Sequence, residues 1–188
     1  MTTNLIITRM FSIATLLTLS ACSTYHSYDD TDYMHHDYNH KEYEDRLPPH
    51  VHTNGQKLVL INPRVHAWGA YGEDGNLVRG GIATAGGVEC PPDDGDEPTC
   101  RTSVGTFKIF SLGDDDCVSK IYPKPEGGGL MPYCMYFHNG EALHGSPDPT
   151  VIEANVSHGC VRMRIPDAAW MRNNFAEIGT TVKVLPYD

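Results

Sequence analysis

The sequence predicts a mainly β, sandwich-like domain with one short helix, preceded by a signal peptide and a disordered tether. Three observations carry this. From Gln56 onward, short apolar runs with strand-like alternation recur between clusters of Gly, Pro, Asn and Asp. Only one stretch has helical periodicity. Residues 23–50 hold almost no aliphatic side chains and so offer nothing from which to build a core.

The first segment, residues 1–21, carries one charge, Arg9, followed by the apolar run from Met10 to Leu19. That run is shorter than the ~20 residues a spanning helix needs, and it ends in the small residues Ser20 and Ala21. Leu19-Ser20-Ala21-Cys22 resembles the bacterial lipobox, in which the cysteine is lipidated and becomes the new N-terminus. Ser23, a residue other than Asp, then implies the outer membrane and a periplasmic setting. The chain has 188 residues with 24 acidic and 14 basic side chains, a formal net charge of -10. Such a balance excludes nucleic acid as the main partner, and an anionic bilayer would repel it. Membrane attachment therefore falls to the acyl chains on Cys22, each buried CH₂ supplying ~0.8 kcal/mol.

The second segment, residues 22–52, repeats Tyr, His and Asp and reads as a tether. Its histidines suggest a metal site only if His36 and His40 share a helical face, and no apolar period supports a helix, so no metal or cofactor is expected. The third, residues 53–188, is the folded domain. Its β-type runs are Lys57–Asn62, Val65–Tyr71, Leu77–Thr84, Gly105–Phe110, Leu130–His138, Cys160–Ile165 and Thr180–Leu185. Glu73-Asp74-Gly75-Asn76 reads as the turn joining the second and third. The helix begins at Pro166, presents Ala168, Met171 and Phe175 on one face, and stops at Gly179. Asp114-Asp115-Asp116 is a solvated turn, and Gly127-Gly128-Gly129 lacks the lysine of a phosphate loop.

The chain has six cysteines, at 22, 90, 100, 117, 134 and 160. With Cys22 lipidated in an oxidising compartment, five remain and one is left over. Cys90 and Cys100 flank a polar loop, while Cys117 and Cys134 lie near the ends of neighbouring β-type runs. The pairing 90–100 with 117–134 is favoured among the three available, leaving Cys160 as the free thiol. Its surroundings are Ser157-His158-Gly159-Cys160-Val161-Arg162-Met163. On a strand, His158 and Arg162 would share a face with Cys160, and Gly159 would let an acyl group approach backbone N–H groups. A second histidine, His144, follows another β-type run. Cysteine with histidine is the arrangement for acyl transfer through a thioester, and no further ligand follows at zinc spacing.

Met131-Pro132-Tyr133, His144-Gly145 and Ser157-His158-Gly159-Cys160-Val161-Arg162-Met163 together resemble the L,D-transpeptidase (YkuD-like) catalytic domain. Val104–Ile109 and Gly179-Thr180-Thr181-Val182 are similar to the glycine-threonine strands of that family, so the resemblance spans about residues 56–186. It implies Cys160 as nucleophile, His144 as its base oriented by the Gly145 carbonyl, and His158 as a supporting histidine. It implies oxyanion donors at Gly159 and Cys160, with Ser157 and Arg162 on the substrate side and Tyr133 lining the pocket under a lid at 114–129. The implied partner is a peptidoglycan tetrapeptide stem, with 3-3 crosslinking or terminal exchange as the reaction and a carbapenem as an acylating inhibitor. The chain departs from the family at Arg101-Thr102-Ser103-Val104, where a Thr-Pro-Thr-Gly turn is common, and in the acidic loop between Cys90 and Cys100. The acceptor stays open between a stem, an amino acid, water and a protein lysine. A dormant wall-binding lipoprotein and a tail-driven metal-binding protein are the competing readings.

Overall fold

The computed structural model describes residues 38–90 and 99–188. The signal-peptide and lipidation readings at 1–22, the tether up to residue 37 and His36 lie outside the described residues.

Two sheets form the domain. The first has five strands in the order β3 (Leu77–Ile82), β2 (Ala67–Tyr71), β1 (Leu58–Asn62), β9 (Thr181–Val184), β4 (Gly105–Lys108). The second has four, β5 (Ser111–Leu112), β6 (Met135–His138), β7 (Glu141–Ser146), β8 (Val161–Arg164). Pairing is antiparallel except β1 with β9 and β7 with β8. Between the sheets, Val59, Ile61, Trp68, Met135, Leu143, Val161, Met163 and Val182 form the main core. The expected helix is present: α2 (Ile165–Trp170) has Pro166 in its first turn, continues as a π-helical turn over Met171–Phe175, and buries Ala168, Met171 and Phe175 in that core. The Glu73–Asn76 turn also forms, with Gly75 at φ 81 and Asp74 accepting from the Asn76 backbone.

Residues 38–52 correct the expectation of a tether reaching residue 52. They contain α1 (His40–Glu44), whose Asn39 cap accepts from Lys41 N, and they lie on the outer face of the five-stranded sheet. Strand β1 alternates, so Val59 and Ile61 face the main core while Leu58 and Leu60 join a second cluster. Tyr43 and Leu47 complete that second cluster, with Tyr38 and Val51 packed against it. The Tyr38 hydroxyl accepts from Ile82 N at 2.6 Å. His40 is engaged at both ring nitrogens, by Gly80 O at 2.7 Å and Arg79 at 2.9 Å. Few apolar residues suffice here because an exposed sheet face supplies the other half of the packing.

The run Leu130–His138 is also shorter than expected, since only Met135–His138 forms a strand. Residues 130–134 turn instead, with Tyr133 at φ 59 and Cys134 bonded to Cys117. Both favoured disulfides are present, and Cys160 is a free cysteine. Replacing Leu47 with Ala should cost about 2–4 kcal/mol in chemical denaturation, the usual range for emptying a buried leucine site. A change within a few tenths of a kcal/mol would mean that 38–52 is a tether in solution.

Candidate active site

The site starts from the parallel pairing of β7 and β8. Its register sets Leu143 opposite Val161 and His144 opposite Arg162. Alternation sends Leu143, Val161 and Met163 into the main core, leaving His144 and Arg162 on the other side. The far edge of β8 is held by residues 84–87: Thr84 and Arg162 exchange backbone hydrogen bonds at 3.0 and 2.9 Å, and Ser157 bonds to Ala85 and Gly87. The turn before β8, which carries Cys160, is thus tied at both ends.

His144 is buried, and its Nδ1 donates to Gly145 O at 2.8 Å. A carbonyl only accepts, so Nδ1 carries the proton and Nε2 keeps its lone pair. Burial pushes the imidazole pKa down to about 4; the Arg162 cation adds to this and the Gly145 carbonyl opposes it. The ring is neutral at neutral pH and chemically suited to accept a proton at Nε2.

Cys160 is partly buried against Ala142, Met131 and the Cys117–Cys134 disulfide. Its Sγ lies 3.8 Å from Gly140 O, and among the described residues it makes no hydrogen bond to His144. Burial pushes the thiol pKa up to about 11; a backbone hydrogen bond from Ala142 and the Arg162 cation pull it down, while the Glu141 charge pushes it further up. At rest the thiol and the imidazole are therefore both neutral.

The expectation that His158, Cys160 and Arg162 share a strand face holds only from Val161 onward. Residues 158–160 form a bend with Gly159 at φ 113, so strand alternation does not apply to them. Ser157 stabilises this bend: its Oγ donates to Cys160 O and accepts from Gly159 N at 3.3 Å. The Gly159 N–H, expected as an oxyanion donor, is thus directed at Ser157 in this conformation. The His158 ring packs on Tyr122 at 4.4 Å between centroids, linking the turn that carries Cys160 to the 114–129 segment.

Cys160, His144, His158, Gly159, Ser157 and Arg162 all line one cavity of about 850 Å³. Gly145 does not line it and acts through its carbonyl alone. Tyr133 does not line it either; its positive-φ backbone turns the side chain onto the main core. Tyr122 and Tyr136 supply aromatic wall instead, with exposed Phe110, Ile121 and Leu130 as apolar lips. The segment 99–101 forms another wall, passing so close to Gly86 that a Cβ there would sit 2.0 Å from Cys100 O. Tyr187 locks this crossing, its hydroxyl donating to Gly86 O at 3.0 Å and accepting from Thr102 N at 2.9 Å. Sequence reasoning missed Tyr187, Tyr122 and Glu141. None of them interrupts a hydrophobic period or stands in a motif, so no one-dimensional signal marks them.

The sequence matches the model of the YkuD family, the L,D-transpeptidase catalytic domain, over residues 56–184. The chain belongs to this family. Among solved structures it is similar to an L,D-transpeptidase from Xylanimonas cellulosilytica, with 26% identity and a TM-score of 0.62 over 75% of this chain and 66% of that one. An L,D-transpeptidase from Mycobacterium smegmatis follows at 22% identity and TM-score 0.55, covering 70% and 59%. One from Stackebrandtia nassauensis stands at 23% and 0.55, covering 74% and 61%. The last two identities speak to the fold alone, and the chain spans less than two thirds of the length of each of the three. No curated protein matches.

In this L,D-transpeptidase domain the neutral pair has a measurable signature. Alkylation of substrate-free Cys160 by iodoacetamide should climb with pH up to about 11, following the thiolate. Arg162→Gln should move the midpoint upward, because a cation that favours the thiolate is lost. A midpoint near neutrality would contradict a resting neutral thiol.

Proposed function

We propose that this protein is a peptidoglycan L,D-transpeptidase working through a Cys160 thioester on tetrapeptide stems. The observation that carries the reading is the single cavity wall bearing a free thiol, a neutral histidine with its Nε2 lone pair available, and an arginine. The Cys160 proton passes to His144 Nε2 as Sγ bonds to the carbonyl carbon of the third stem residue. The tetrahedral oxyanion collapses, the amide C–N bond breaks, and the imidazolium proton leaves with the D-alanine amine. An amine from a second stem then attacks the thioester, its proton passing through His144 to the departing sulfur. The product is a 3-3 crosslink, and the thiol is regenerated.

Arg162 fits two tasks in this scheme. Its cation offsets the rising charge on sulfur, and its guanidinium suits the stem's carboxylate. Rotation of Cys160 away from Gly140 O must precede proton transfer, since apo geometry in such pairs is often loose.

The reading also places the protein in the periplasm, held to the outer membrane through lipid on Cys22. Its support is the lipobox-like Leu19-Ser20-Ala21-Cys22 and two disulfides in the domain, which belong to an oxidising compartment.

With disaccharide-tetrapeptide as substrate, Cys160→Ala should abolish D-alanine release and the mass increase expected from a carbapenem. His144→Ala should lower turnover by ~10²–10⁴-fold, the usual span of a general base, and by more than His158→Ala. A Cys160→Ala protein that still releases D-alanine would exclude the thioester. Cys22→Ala should move the full-length protein from the membrane pellet to the soluble fraction, and persistence in the pellet would exclude the lipid anchor.

A further inference from the structure

Glu141 stands at the first position of β7, directly after the Asn139–Gly140 turn on which the Cys160 thiol rests. It is the one Asp or Glu among the described residues lining the cavity, where Arg101, Lys120 and Arg162 supply positive charge. Its Oε1 accepts from Ser103 N at 3.0 Å and Ser103 Oγ at 3.1 Å. Among the described residues its buried Oε2 has no hydrogen-bond partner and no Lys or Arg pairs with the carboxylate; the charge that acts on it is that of His138, its partner across the strand pair. The same Oε1 lies 3.6 Å from where a Cβ on Gly159 would stand, so the group flanks the nucleophile turn.

An unneutralised carboxylate oxygen out of water is costly, and folded proteins rarely leave one without a purpose. Here burial pushes the carboxyl pKa up while Ser103 and His138 pull it back toward the charged form, no Lys or Arg among the described residues pairs with it, and on the transpeptidase reading the cavity beside it receives an amine. We propose that Glu141 is the recognition residue for the acyl acceptor: it takes the ammonium group of an incoming α-amino-acid centre, whose carboxylate falls to the cavity's cationic side chains.

This rests on the transpeptidase reading and adds a ligand class to it. The favoured acceptor is a zwitterion, either a free D-amino acid or the amino-acid centre at the end of a diamino-acid side chain. A protein lysine has the ammonium without the adjacent carboxylate, and water has neither. The ammonium gives one proton to the Glu141 carboxylate, the free amine attacks the thioester, and its second proton passes through His144 to the departing sulfur; holding the acceptor there also disfavours hydrolysis, because a positioned nucleophile outcompetes one that is merely present. Ser103 fits as the group that holds Glu141 in place, which gives a role to a stretch where the chain departs from its family.

The test uses the full-length disulfide-bonded chain with disaccharide-tetrapeptide as donor and D-methionine as acceptor. Both the exchange product and the hydrolysed tripeptide come from the same thioester, so their ratio reports acceptor choice alone. Glu141→Gln keeps an Oε1 to accept from Ser103 while removing the charge. The ratio of exchange to tripeptide should fall by about tenfold or more, the worth of one charge-assisted hydrogen bond. The KM for D-methionine should rise, and carbapenem acylation of Cys160 should become faster, because a charge that opposes the thiolate is gone. A merely structural Glu141 would slow acylation and leave the ratio unchanged; that result overturns the proposal. Failure of the unsubstituted protein to release D-alanine or form a carbapenem adduct would instead overturn the transpeptidase reading itself.

Discussion

The parallel pairing of β7 with β8 is the constraint on which the rest of the molecule depends. Parallel strands need a crossover, and here residues 147–160 make it, delivering the chain to the start of β8 beside the start of β7. That geometry brings Cys160 against Gly140 and Ala142, and it sets Arg162 level with His144. A slip of one residue would exchange His144 with Leu143, putting an imidazole in the core and an aliphatic group in the cavity. The core side chains Leu143, Val161 and Met163 therefore specify the site as firmly as the polar residues do.

The electrostatics of the cavity follow from burial more than from charge pairing. Burial of its ring keeps His144 neutral, and burial of the sulfur keeps the thiol protonated. Such a pair stores no charge at rest. In the proposed reaction, ionisation accompanies attack, when a tetrahedral oxyanion and nearby Arg162 change the balance. A resting thiol of this kind also resists casual oxidation, since the thiolate is the reactive form. The formal net charge of -10 is not reproduced on the described cavity wall, where three cations face one carboxylate.

Covalent and hydrogen-bonded ties hold the surrounding walls. The Cys117–Cys134 bond joins the 114–129 segment to the loop before β6, and Met131 N bonds back to Cys117 O at 2.8 Å. The Cys90–Cys100 bond holds the start of the segment that crosses Gly86 under Tyr187. Tyr122 on His158 closes the contact between one wall and the turn that carries Cys160. Each tie reaches the cavity from a different part of the chain, so the wall is held from several directions at once.

Much of this was legible in one dimension. Alternation around Leu58, Phe107 and Val182 gave strands, the 168/171/175 spacing gave the helix, and cysteine parity singled out Cys160. These signals are local, set by neighbours within a few residues, so they survive without knowledge of the fold. The order of strands, the fate of residues 38–52 and the placement of Tyr133, Glu141 and Tyr187 were decided by tertiary structure. A polar segment becomes part of the fold when a distant sheet face needs covering, as Tyr43 and Leu47 cover Leu58 and Leu60. A glutamate at a strand start comes to act on a thiol only when Cys160, nineteen positions later, is folded back near it. Sequence determines what each residue can do chemically; only the packing of remote segments, which carries no periodic trace, decides which of them meet.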